Sequence, residues 1–142
     1  MRLRTAPVIV AALLAVACGG SPTAAPTPTG TPGLAGRPAS TASLQLTSPA
    51  DNATVTGSVV HVMVSLSGAQ VVAQTSTHIQ PDRGHVHLYL DNQLIYMQYR
   101  LEQDVPVKRG TYALKAEFVA ADHVPFNPRV WSQQIIFTVR AA

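Results

Sequence analysis

Apolar and polar residues alternate in short runs along the last hundred or so residues of the chain. In the run 58–67 every second residue is Val or Leu, and the runs 85–90 and 111–120 repeat this pattern. Such a period of two is typical of β-strands with one face buried. No 11-residue window shows the period of 3.6 that a helix requires. The pattern therefore predicts an all-β domain.

Turn-forming residues divide this region into about seven strands. The predicted strands are 43–47, 58–67, 71–75, 85–90, 94–99, 111–120 and 131–140. Asp91-Asn92 predicts a tight hairpin turn between the fourth and fifth of them. The segment 123–129 contains Pro125 and Pro128, which excludes it from the centre of a sheet. Seven short strands in about 100 residues predict an antiparallel β-sandwich.

Two segments narrow this prediction to an immunoglobulin-like sandwich. Arg109-Gly110-Thr111-Tyr112-Ala113-Leu114 resembles the tyrosine corner, in which the tyrosine hydroxyl bonds back to the backbone of the preceding turn. Ser48-Pro49-Ala50-Asp51-Asn52-Ala53-Thr54-Val55 resembles the opening of bacterial immunoglobulin-like surface domains. Tyr112 is therefore predicted to be a structural residue.

The first 17 residues have the pattern of an export signal. Arg2 and Arg4 precede an apolar run, 6–17, that is too short to span a bilayer. Small residues then lead to Cys18, which resembles the bacterial lipobox, although Ala15 stands where that pattern has leucine. The resemblance implies a signal peptide over residues 1–17. It also implies acylation at Cys18, a palmitate-type anchor that holds the protein on the extracytoplasmic side of a bacterial cell membrane.

The alternative is an ordinary signal peptide cleaved near the same place, which would leave a free thiol. Residues 18–42 are rich in Pro, Thr, Ser, Gly and Ala and hold almost no large apolar side chain. They are predicted to form a tether that reaches on the order of 75 Å in extended form. The predicted domain then occupies residues 43–142.

Composition excludes several classes of function. After residue 17, eight Lys and Arg stand against seven Asp and Glu, and they are scattered, so a nucleic-acid partner is not predicted. A single cysteine excludes an internal disulfide and a cysteine-based zinc or redox site. The sequence shows no nucleophile motif, acid–base pair or phosphate-binding loop, so we predict that the protein is not an enzyme.

The histidines are the candidate functional residues. His85 and His87 are two apart on a predicted strand, so their side chains share a face about 7 Å apart, which suits two ligands of one zinc or copper ion. His123, in the loop after the Tyr112 strand, is the third candidate ligand. His78 and His61 are possible auxiliary ligands.

Two other roles for these histidines remain open at this stage. They can simply hydrogen-bond the strand to the proline-containing loop, or they can recognise an anionic or sugar partner. Met63 and Met97 would offer soft sulfur ligands that favour Cu(I), although a methionine side chain more often serves packing.

The histidine motifs also occur in an order that resembles a known group. Four segments carry it: Gly84-His85-Val86-His87, Gly110-Thr111-Tyr112-Ala113-Leu114, Ala121-Asp122-His123-Val124-Pro125 and Ile136-Phe137-Thr138-Val139. Together they look like small exported bacterial immunoglobulin-like lipoprotein domains of uncharacterised function, over most of residues 44–139. The resemblance implies the fold and points to His85, His87 and His123, but it implies no activity.

The sequence thus predicts a membrane-anchored, non-enzymatic immunoglobulin-like module that contacts an envelope protein. The alternative is a copper- or zinc-binding domain that uses the His-x-His strand and the loop histidine.

Overall fold

A computed structural model describes residues 34–142, apart from the side chain of Gln98. Cys18, the predicted signal peptide and most of the predicted tether lie outside the described residues. The described part forms ten strands and no helix. The strands are β1 (Ser43–Ser48), β2 (Ala53–Thr56), β3 (Val59–Ser67), β4 (Gln70–Val71), β5 (Arg83–Leu90), β6 (Gln93–Gln98), β7 (Glu102–Pro106), β8 (Gly110–Ala120), β9 (Pro125–Trp131) and β10 (Ile135–Arg140).

The strands form two sheets that face each other. The smaller sheet has the order β1-β3-β7, and the larger has the order β2-β10-β8-β5-β4, with β6 also paired to β5 and β9 also paired to β8. All pairings are antiparallel except β2 with β10 and β4 with β5. The predicted β-sandwich is confirmed, with ten strands in place of about seven.

The alternating runs supply the core between the sheets. Val60, Val62 and Val64 of β3 face the larger sheet, whose strands contribute residues such as Leu88 and Phe137, and all five are buried. The inward faces predicted for these strands are therefore correct, because period-two alternation fixes which side chains point to the core.

The polar and proline-rich segments differ from the prediction. β2 and β7 were not predicted, and β7 is polar because it is an edge strand that buries little besides Val105. The strand predicted over 131–140 is wrong at its start, since Trp131 ends β9 and β10 begins at Ile135. Pro125 and Pro128 lie inside β9, which pairs only with β8 and so can accommodate residues that lack an N–H.

Two of the predicted turns are present, one held by hydrogen bonds and the other marked by its backbone conformation. The Tyr112 hydroxyl donates to the Lys108 carbonyl oxygen at 2.9 Å and accepts from the Lys108 N–H at 3.2 Å, which is the backward bond of a tyrosine corner. Asp91 and Asn92 both adopt positive φ, 49° and 64°, as a tight hairpin turn requires. These two turns set the ends of β5, β6 and β8.

Residues 34–42, the end of the predicted tether, contact the domain. The Thr41 N–H donates to the Pro81 carbonyl oxygen at 3.1 Å, and the Asn127 N–H donates to that of Pro38 at 3.0 Å. The packed structure therefore begins before residue 43. Within residues 34–142, no helix is long and apolar enough to cross a membrane.

Gly84 provides a first prediction. It is buried where β5 meets β8, and a Cβ placed there would overlap the carbonyl group of Val119. We expect Gly84→Ala to lower the free energy of unfolding by about 1–3 kcal/mol, because the overlapping atoms belong to the backbone. Denaturant unfolding measures this.

Gly110→Ala is the matched control. A Cβ at Gly110 would meet only ordinary contacts at 3.5 Å or more, from the Tyr112 ring. Equal losses from both substitutions would contradict the close approach at Gly84.

Candidate histidine site

Strand β5 is buried on both faces. Val86 and Leu88 point into the core, as predicted, while His85 and His87 point to the outer face of the larger sheet, the face turned away from the smaller sheet. Even there, His85 is fully buried and only 5% of His87 is exposed. A second layer of side chains therefore covers the histidines, and this was not predicted.

His123 belongs to that covering layer. It lies in the turn of residues 121–124 between β8 and β9, which we call the His123 turn. Its φ is 64°, a left-handed conformation that histidine adopts more often than most residues. The His123 N–H donates to the Ala120 carbonyl oxygen at 2.9 Å. This reversal of the chain directs the imidazole back over β5.

The three predicted histidines are together. His87 Nε2 lies 3.4 Å from His123 Nδ1, and their rings are 16° from parallel. The ring of His85 stacks on that of His123, with centroids 4.2 Å apart and planes 21° from parallel. His123 therefore lies against both histidines of the His-x-His strand.

His85 differs from the other two histidines in its hydrogen bonding. Its Nε2 lies 3.1 Å from the Ala121 carbonyl oxygen, which can only accept, so Nε2 carries the proton. Its Nδ1 is buried and has no hydrogen-bond partner in the described part of the chain. His85 therefore acts at least partly as a structural histidine that ties β5 to the His123 turn.

The loop between β4 and β5 supports the site from another side. Thr75 Oγ1 lies 3.2 Å from His123 Nε2, and the Ser76 N–H donates to the Ala121 carbonyl oxygen at 3.0 Å. A partner on Nε2 fixes the ring orientation of His123 and leaves its Nδ1 directed at His87.

Arg37 holds the other end of the His123 turn. Its guanidinium makes two hydrogen bonds to the Asp122 carboxylate, at 2.7 and 2.8 Å. It also donates to the carbonyl oxygens of Val124 at 3.0 Å and Pro125 at 3.1 Å. Arg37 thus contacts the residues on both sides of His123, and nothing in the sequence pattern indicated this role.

Burial shapes the electrostatics of the pair. Burial is the largest cause that lowers the pKa of His87, and together with the neighbouring His123, His85 and Arg129, in that order, it brings the pKa from 6.5 to about 4. Burial is also the first cause that lowers the pKa of His123, followed by His85, while Asp122 opposes the shift. The His87 imidazole is therefore uncharged at neutral pH.

The two auxiliary histidines lie elsewhere. His61 is on β3 of the smaller sheet, where its Nδ1 is 2.7 Å from Asp104 and its Nε2 is 3.9 Å from Glu102. His78 is exposed in the loop between β4 and β5. The structure brings neither into the pair formed by His87 and His123.

A buried ion pair that the sequence pattern did not predict lies beside the site. Glu117 is fully buried opposite His87, and it accepts from Arg129 at 2.6 and 2.7 Å and from the Tyr89 hydroxyl at 3.1 Å. The Arg129 guanidinium in turn lies 4.5 Å from the ring of Trp131. The available signal was a charged residue inside the alternating β8 run, on the face opposite Phe118.

The predicted set of three histidine ligands needs correction. Within residues 34–142, no three His, Cys, Asp or Glu side chains are arranged to hold a metal ion. Nε2 of His85 is directed at the Ala121 carbonyl oxygen, whereas Nε2 of His87 is directed at Nδ1 of His123. The arrangement offers two converging nitrogens, one from His87 and one from His123.

Comparisons with known proteins leave the family open. No family model and no curated protein sequence matches the chain. Similar solved structures include fibronectin(III)-like modules of Clostridium thermocellum CbhA, with a TM-score of 0.49 and 14% identity over 70% of this chain and 98% of that one. The CARDB domain of PF1109 from Pyrococcus furiosus, solved with di-metal ions, has a TM-score of 0.42 and 13% identity over 70% and 87%.

CopC from Methylosinus trichosporium OB3b is a more distant similarity, with a TM-score of 0.35 and 16% identity over 69% of this chain and 94% of that one. The assignment of a β-sandwich rests on the strands and sheets of this protein.

The lowered pKa values predict how stability depends on pH. In the unfolded chain His87 keeps its pKa of 6.5, whereas in the folded protein the pKa is about 4. Between these values the unfolded state binds more protons, so the free energy of unfolding falls as the pH drops from 6.5 toward 4. We expect a loss of about 1–3 kcal/mol, measured by urea unfolding of metal-free protein.

The control is His87→Gln, which removes this titrating group. Its stability should fall less steeply over the same pH range, with the remaining slope due to His123. An unchanged slope in this variant would show that His87 does not carry the effect.

Proposed function

We propose that this protein is an extracytoplasmic, non-enzymatic binding module that holds a transition-metal ion, copper or zinc, through His87 and His123. The observation that carries the proposal is the distance of 3.4 Å between His87 Nε2 and His123 Nδ1. The fold supports a binding module in general terms, and the histidine pair supplies the chemistry.

The distance suits a pair of metal ligands. A separation of 3.4 Å makes this a long hydrogen bond between the two ring nitrogens. With metal–nitrogen bonds of about 2.0–2.1 Å, two nitrogens this far apart subtend an angle of about 110° at the ion, which is close to tetrahedral.

The surroundings of His123 support the same role. Metal-binding histidines usually have a hydrogen-bond partner on the second ring nitrogen, which fixes the ring. Thr75 occupies that place on His123 Nε2, and Arg37 fixes the backbone on both sides. A pre-arranged ligand needs less ordering when the ion binds.

A second candidate is recognition of an envelope protein by the same outer face. Lys115 Nζ lies 4.7 Å from the centre of the half-buried Trp131 ring, and the Arg129 guanidinium lies 4.5 Å from it. Aromatic rings flanked by cations are common at protein contacts. This surface lies beyond Glu117, next to the histidine pair, and does not require a metal.

Metal titration tests the proposal. The full chain is purified in detergent with Cys18→Ser in every variant, so that no thiol competes for the ion. It is titrated with Zn(II), Cu(II) and, without oxygen, Cu(I). We expect at least one ion to bind with a dissociation constant below about 10 μM. His87→Gln and His123→Gln should each weaken binding about tenfold or more.

His61→Gln is the matched control, because it removes an imidazole that lies beside two carboxylates on the other sheet. It should leave the affinity unchanged. Absence of binding by any of the three ions, or equal loss in His61→Gln, would overturn the proposal and favour the protein contact.

We also propose that Cys18 is lipidated and anchors the module to the membrane. Two or more acyl chains, at about 0.8 kcal/mol for each buried CH₂ group, hold a protein stably in a bilayer. In the native host, wild type should fractionate with membranes and Cys18→Ser should shift to the soluble or secreted fraction. A Cys18→Ser protein that remains in membranes would contradict this anchor.

A further inference from the structure

The register of β5 and β6 places a methionine beside the histidine pair. His87 on β5 pairs directly with Met97 on β6. Direct partners on antiparallel strands have Cα atoms about 4.5–5.5 Å apart and project side chains from the same face. Met97 and His87 are therefore neighbours on the outer face, the face that His123 covers.

Packing does not account for Met97. It is 57% exposed, whereas His87 beside it is 5% exposed. An exposed thioether buries little apolar area, so its contribution to stability through burial is small. A methionine in this place still offers a soft sulfur donor on the same face of the sheet as the two nitrogen donors.

The carboxylates near the pair are already engaged. Both oxygens of Glu117 accept from Arg129, and both oxygens of Asp122 accept from Arg37. His85 has its Nε2 on the Ala121 carbonyl oxygen and its ring stacked on His123. A carboxylate ligand would have to break an ion pair, whereas Met97 would break none. Nδ1 of His85 is also without a partner in the described part of the chain, but its ring is held by the Ala121 hydrogen bond and by stacking on His123.

We propose that the thioether of Met97 is the third ligand and that the preferred ion is Cu(I). This rests on the proposed function of His87 and His123. Thioether sulfur is a soft ligand that selects Cu(I), while Zn(II) prefers thiolate, imidazole and carboxylate. Two imidazoles and a thioether are all uncharged, so they suit a monovalent ion better than a divalent one.

The experiment compares two ions and two methionines. Met97→Leu keeps the size and apolar character of the side chain and removes only the sulfur. Met63→Leu is the matched control, because Met63 is 43% exposed on the smaller sheet, away from His87 and His123 on the larger sheet. All variants are full-length and carry Cys18→Ser.

Affinity for Cu(I) is measured without oxygen by competition with bicinchoninate, and affinity for Zn(II) by competition with a chromophoric chelator. We expect Met97→Leu to weaken Cu(I) binding about tenfold or more while Zn(II) binding changes less than about threefold. Met63→Leu should change neither. X-ray absorption should show one sulfur neighbour of Cu(I) in wild type and none in Met97→Leu.

The outcomes separate this inference from the proposed function. Metal binding that needs both histidines but is unaffected by Met97→Leu, and shows no sulfur neighbour, overturns the role of Met97 alone. So does an equal loss for Cu(I) and Zn(II), which indicates a structural effect, or binding of Zn(II) with none of Cu(I). Absence of binding by all tested ions overturns the proposed function itself.

Discussion

The pairing of β5 with β8 is the constraint on which the rest of the structure depends. It brings the two backbones so close at Gly84 that a side chain there would overlap Val119. On one face of this pair, Val86 and Leu88 of β5 enter the core between the sheets. On the other face, His85 and His87 are buried under a second layer. A strand buried on both faces can carry polar groups only if each has a partner, and this condition shapes the outer face.

The outer layer meets that condition for its carboxylates through matched charges, whereas Nδ1 of His85 has no partner in the described part of the chain. Glu117 is fully buried and accepts hydrogen bonds from Arg129 and from the Tyr89 hydroxyl, while Arg129 also lies over the Trp131 ring. Asp122 is paired with Arg37. Buried ion pairs of this kind contribute little net stability, because desolvation of the charges offsets their attraction. Here the ion pairs instead determine where the neighbouring side chains lie. They engage the nearby carboxylates, so the nitrogens of His87 and His123 are left facing each other at 3.4 Å.

The sequence predicted the parts of the structure that depend on local pattern. The alternation of apolar and polar residues predicted which side chains of β3, β8 and β10 face the core. The Tyr112 and Asp91-Asn92 turns follow from backbone geometry that few residues can adopt. It did not predict β7, whose edge position leaves little apolar signal, or the split between β9 and β10. At the site, the His-x-His spacing places the side chains of His85 and His87 on the same face of β5. The stacking of His85 on His123 depends on where the His123 turn folds back, which is a tertiary effect.

The same tertiary effect links the site to the start of the domain. Arg37 lies 85 residues before Asp122 in the chain, yet its four hydrogen bonds hold residues 122, 124 and 125 around His123. The left-handed conformation of His123 carries a conformational cost that such contacts offset. Arg37 also lies in the segment that leads back toward Cys18. Because the geometry of His123 depends on that segment, residues 34–42 are part of the machinery that positions the histidine pair as well as the beginning of the connection to the N-terminus.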